Sequence, residues 1–79
     1  MNIQQAVRLR IIEIARQKNL SINKVAENSY INTSTITSLL NGHSKRSEIT
    51  TISKICYGLK VTIKDFFDSP LFDDIDYLD

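Results

Sequence analysis

Residues Leu20 to Gly42 read LSINKVAENSYINTSTITSLLNG, and this stretch decides the fold. Ser21 is a helix-capping residue placed before a short amphipathic run that reaches about Asn28, with Val25 and Ala26 on its inward side. Ser29 to Ile31 then form the turn. Asn32 caps a further helix in which Ile36, Leu39 and Leu40 recur at three- and four-residue spacing, before Asn41 and Gly42 stop it. The spacing thus predicts two short capped helices flanking a tight turn.

Upstream, Val7, Ile11, Ile14 and Ala15 recur at helical spacing among polar residues, which predicts an amphipathic first helix. Lys18 and Asn19 mark its end, because a cation suits the negative helix terminus and asparagine tolerates left-handed backbone. Downstream, Asn41 to Ser47 is polar and basic, hence a loop. Ser47 is then expected to cap a fourth helix that turns Ile49, Ile52, Ile55, Cys56 and Leu59 inward. The β-branched run ITTISKI favours strand by propensity, but its apolar spacing is helical. Gly58 should weaken this helix little. Thr62 and Asp65 match a capping box for a fifth helix with Ile63, Phe66 and Phe67 on its apolar side, ended by Pro70.

The expected fold is therefore all-α with five helices. Residues 1–69 form the helical domain, and 70–79 an acidic, aromatic tail. At 79 residues the chain suits one domain with a modest core. A single cysteine, Cys56, leaves no internal disulfide, and no Cys/His cluster has zinc-site spacing, so a reducing cytoplasm fits and no metal or cofactor is expected. No apolar run approaches the roughly 20 residues of a membrane span, and the start MNIQQAVRLR lacks the pattern of a cleaved signal. The net charge of +1 hides an asymmetry. Through Lys60, nine cations face three glutamates, for +6, whereas from Val61 onward Lys64 faces six aspartates, for −5. A basic body with an acidic tail suits a polyanion at one face, although ordinary solvated charge gives the same count.

The whole pattern resembles the Cro and lambda-repressor type of helix-turn-helix, the XRE family, whose common form is roughly LSxxxLAxxxGVSxxTIxxxxNG. The matching positions are Leu20, Ser21, Val25, Ala26, Ile31, Asn32, Thr35, Ile36, Asn41 and Gly42. The likeness runs from the first helix to Phe67. It implies a lambda-repressor-like bundle whose second and third helices form the helix-turn-helix, in a sequence-specific regulator of transcription. Three departures stand out. Tyr30 replaces a frequent glycine, so either the turn twists differently or a bulky side chain is held at positive φ, its ring facing the core or a phosphate. Ala15 and Leu40 stand where relatives often pair arginine with glutamate, and removal of both charges avoids leaving one unpaired. Ile22 replaces a backbone-anchoring glutamine.

In that geometry the third helix enters the major groove, which assigns base contacts to Thr33, Ser34, Thr35, Thr37 and Ser38. Hydroxyls carry a weak base code, and the same face could simply be solvated, so specificity would lean on DNA shape or on two half-sites. Backbone contacts are expected from Asn23, Lys24, Asn32, Asn41, His43, Ser44, Lys45 and Arg46. His43 has no second metal ligand at a usable spacing, and Cys56 reads as a small buried hydrophobe. Phe66, Phe67, Leu71, Phe72, Ile75 and Leu78 exceed what so small a core should need, and either complete it or line a dimer surface. The leading expectation is a homodimeric repressor on double-stranded DNA. The alternative is a helix-turn-helix protein-interaction module such as an antitoxin component. No paired carboxylates, phosphate loop or nucleophile with a partner suggests an enzyme.

Overall fold

Asn2 accepts a hydrogen bond from the Gln5 backbone amide (2.8 Å) while the Gln5 side chain accepts one from the Asn2 amide (3.0 Å), a reciprocal capping box. It opens α1, Ile3–Gln17, in a computed structural model that describes residues 1–42 and 47–78. Four further helices follow: α2 (Ile22–Ser29), α3 (Thr33–Leu40), α4 (Ile49–Leu59) and α5 (Ile63–Phe67). A 3-10 turn, Pro70–Phe72, comes last. The fold is all-α with five helices, and no strand occurs among the described residues.

Three helices end in the same way. Asn19 (φ 54°), Tyr30 (φ 58°) and Lys60 (φ 61°) each adopt left-handed backbone after α1, α2 and α4. The next amide then reaches back to a carbonyl inside the helix: Leu20 to Ala15 (2.8 Å), Ile31 to Ala26 (3.2 Å) and Val61 to Cys56 (3.0 Å). Leu20, Ile31 and Val61 all pack against the core, completing the apolar contact that accompanies such a cap. The chain direction at each exit is thereby set locally, by backbone bonds and one apolar anchor.

The core gathers Val7, Ile11, Ile14 and Ala15 of α1 with Val25 and Ala26 of α2, Ile36 and Leu39 of α3, and Ile52, Ile55, Cys56 and Leu59 of α4. Phe66 closes it from α5. Its complete burial contributes about 1.5–3 kcal/mol by removal of apolar surface from water. Ala15 is buried and Leu40 packs partly against the same core, so both positions of the absent ion pair are apolar in space as well as in sequence. Ile22 is also partly buried against it.

Several local expectations are corrected. Ser47 does not cap α4; Glu48 occupies that position without a side-chain cap bond, and the Ser47 hydroxyl instead accepts from Gln4 Nε2 of α1 (2.8 Å). Ile49 and Ile63, the first residues of α4 and α5, are exposed, no described residue burying them against the core. Asn32 holds the N-cap position of α3, but its side chain makes no cap bond. Ser21 and Thr62 do cap, accepting from the backbone amides of Lys24 and Asp65. The fifth helix stops at Phe67, and Pro70 opens the 3-10 turn under a cap from Ser69 Oγ.

The segment after α5 folds back onto the body. The 3-10 turn packs on α1, and the Asp76 amide donates to the Met1 carbonyl (3.0 Å). Phe72 lies with its ring centroid 4.9 Å from that of Phe67, which in turn lies edge-on to Phe66 at 5.0 Å. Phe66 is thus enclosed within its own chain, which removes it from the surface expected to line a dimer.

Candidate nucleic-acid interface

α3 divides cleanly by environment. Ile36 and Leu39 are buried, whereas Thr33, Ser34, Thr35 and Thr37 are exposed and Ser38 is half-buried. The five hydroxyl residues read as base-facing therefore lie on the side of the helix away from the core. No carboxylate stands on α3, so its outward face offers donors and acceptors without a charge that would repel phosphate.

The flanking polar residues have distinct roles. Ser21 Oγ is engaged in capping α2, while Asn23 and Lys24 project into solvent on the first turn of that helix. Lys24 Nζ stands 3.5 Å from a Glu27 carboxylate oxygen, a long exposed pair that contributes little. Asn32, with its side chain free of capping, and Asn41, at the C-terminal end of α3, both lie in solvent. His43, Ser44, Lys45 and Arg46 lie outside the described residues. Leu71 and Ile75 are half-buried and Leu78 is fully exposed, so the residues assigned to a dimer surface do not share one environment.

Tyr30 resolves one of the open readings. Its backbone is left-handed and its side chain 84% exposed, so the ring is not a core residue. It lies 6.3 Å, centroid to centroid, from Tyr57 on α4, also exposed. These two rings border an open cleft of about 730 Å³ that also includes Asn28, Lys60 and Thr62. Tyr57 was not singled out by its sequence position, since one tyrosine on the outer side of an amphipathic helix carries no distinctive signal.

Cys56 is 2% exposed, and burial pushes its thiol up to about 11, against a smaller lowering effect from a backbone hydrogen bond. A thiol in that state is a packing group, not a nucleophile. Among the described residues, no three His, Cys, Asp or Glu side chains are grouped to hold a metal ion, and no helix is long and apolar enough to cross a membrane.

An exposed hydroxyl-rich helix, set after a capped helix and a left-handed turn on a five-helix core, is the arrangement expected of a helix-turn-helix. The family model for the Cro/C1-type HTH DNA-binding domain matches residues 10–70. The chain belongs to this family. The Cro/C1-type fold here is similar to the crystal structure of prophage Lp1 protein 11, with 38% sequence identity and a TM-score of 0.80. That similarity covers 95% of this chain and 100% of the other. No curated protein matches. Within this Cro/C1-type domain, α2 and α3 are the helix-turn-helix, and DNA binding is the function that the family carries.

Proposed function

We propose that this Cro/C1-type protein is a sequence-specific regulator of transcription that acts as a homodimeric repressor, with α3 in the major groove of double-stranded DNA. The observation that carries the reading is the outward face of α3, where Thr33, Ser34, Thr35 and Thr37 are exposed and acid-free above a buried Ile36 and Leu39. Thr33, Ser34, Thr35, Thr37 and Ser38 read base edges. Asn23, Lys24, Asn32 and Asn41, together with His43 to Arg46, hold the sugar-phosphate backbone on either side.

Ser and Thr hydroxyls discriminate poorly between bases, so a single domain has little specificity. Two copies on a two-fold site would combine two weak readings, which favours a dimer with half-sites one helical turn apart. Bound there, the protein represses by occlusion. Selection of bound sequences from a random duplex pool tests this directly: the expected result is enrichment of a motif repeated with two-fold symmetry. Enrichment of nothing would reject sequence-specific reading, and enrichment of a lone half-site would reject the dimer.

One observation favours a second reading, a protein-interaction module. Tyr30 and Tyr57 are large aromatic side chains exposed together beside an open cleft, and aromatic residues are enriched in protein contacts. The same selection experiment separates the two.

A further inference from the structure

One edge of α1 borders the chain on both sides of residues 43–46. Gln4 and Arg8 are one helical turn apart, hence neighbours on the α1 surface. Gln4 Nε2 donates to Ser47 Oγ at 2.8 Å, on the far side of that segment. Arg8 meets its near side: a Cβ built on Gly42 would lie 3.6 Å from Arg8 Nη1. Gly42, at φ +76°, follows Asn41, the C-cap of α3. The Arg8 guanidinium is therefore seated where the chain leaves the helix assigned to the groove.

Arg10, two residues along the same helix, shows what a structural arginine does here. Its Nε donates to the Phe66 carbonyl (2.7 Å), one Nη donates to the Asp65 carbonyl (2.8 Å), and the other pairs with Glu13. Arg8 makes no hydrogen bond or ion pair with any described residue, yet it is partly enclosed. The negative end of the α3 dipole favours a cation at this place, and Arg8 is partly enclosed beside Gly42. A partly enclosed guanidinium with its donors unused by described residues matches the oxygens of a phosphate.

We propose that Arg8 is a DNA phosphate contact, presented by α1 beside the exit of α3. This rests on the reading of α3 as the groove-entering helix, since the backbone flanking that groove then passes the α3 C-terminus. The charge adds to the positive surface from a helix outside the helix-turn-helix.

The test uses the full chain and a fluorescein-labelled, mixed-sequence duplex of about 30 base pairs, with anisotropy measured across salt. For Arg8→Gln the plot of log affinity against log salt should become shallower by about 0.9, with binding about eightfold weaker near 0.1 M salt. Arg8→Lys should keep the slope. A purely structural arginine would lower thermal stability and leave the slope alone, so an unchanged slope in a folded Arg8→Gln overturns the proposal. If Arg8→Gln unfolds, Arg8→Met keeps the stem packing without the charge and gives the same readout; unfolding of both makes Arg8 structural and also overturns it. Failure of the unaltered chain to bind the duplex is a different result: it removes the DNA-binding reading itself, and this contact with it.

Discussion

Gly58 of α4 and Ser29 of α2 are in such close approach that a Cβ on Gly58 would stand 1.9 Å from Ser29 Oγ. The same atom would lie 2.8 Å from the Val25 carbonyl oxygen, and Ser29 Oγ is tied to that carbonyl by a 2.6 Å hydrogen bond. Helix propensity alone makes Gly58→Ala stabilising by about 1 kcal/mol. The contact reverses the sign, because the obstructing atoms are a buried, bonded hydroxyl and a backbone carbonyl. Gly58→Ala should destabilise the protein by about 1–3 kcal/mol in urea unfolding. Ser29→Ala should recover part of that loss in the double variant; strict additivity would mean that the two sites do not meet.

The left-handed caps at Tyr30 and Lys60 make a matched pair of tests. An L-residue in this conformation costs about 1–2 kcal/mol that glycine avoids, offset in part by the larger entropy of glycine in the unfolded chain. Lys60→Gly should therefore raise stability by about 0.5–1 kcal/mol, since its carbonyl can still accept from Lys18 Nζ. Tyr30→Gly loses the contact with the Tyr57 ring as well, so its gain should be smaller. Thermal unfolding of both variants measures the difference. A larger gain at Tyr30 would show that the ring pair contributes nothing.

Arg10 ties α1 to the end of α5 through two carbonyls. Arg10→Ala should cost about 2 kcal/mol, because hydrogen bonds to a charged group are lost and two carbonyls must find water. Arg10→Lys should recover little, as one ammonium cannot reproduce the planar fork. Urea midpoints decide it. Full recovery by lysine would mean that charge, not geometry, makes the tie.

Cys56 predicts an alkaline weakness. Its thiol is raised from the usual 9.0 to about 11 by burial, so the folded state holds the proton more tightly than the unfolded state. That contribution is intact below pH 9 and is lost as pH rises from 9 to 11, roughly 2–3 kcal/mol in all. Cys56→Ala should show a shallower decline of stability over this window, read as the difference between the two unfolding curves. Parallel curves would show that the thiol does not titrate between the two states. Native Cys56 should also resist thiol reagents at pH 8 until the protein unfolds.

The elements of this fold were legible because they depend on neighbours in sequence. Val7, Ile11, Ile14 and Ala15, or Ile52, Ile55, Cys56 and Leu59, share a face through helical geometry alone, and all are buried. Ser21 and Thr62 cap because a cap bond spans only three residues. The outward hydroxyls of α3 follow from the same periodicity: once Ile36 and Leu39 are buried, the residues between them must face away.

Tertiary structure decided what depends on residues distant in sequence. Ser47 has the right chemistry for a cap, but Gln4, 43 positions away, draws its hydroxyl, and Glu48 takes the cap position instead. Ile49 and Ile63 share the apolar spacing of their helices, yet periodicity says only which side a residue faces and not whether another element covers it. Phe72 reads equally as spare surface or core until the chain turns back onto α1. Gly58 looks like a weak point along α4 and is instead a place where α4 comes too close to α2 to admit a side chain. Arg8 and Arg10 are alike as letters two positions apart. Their difference arises because α5 ends beside one and the α3 exit beside the other, an outcome of packing that no local pattern encodes.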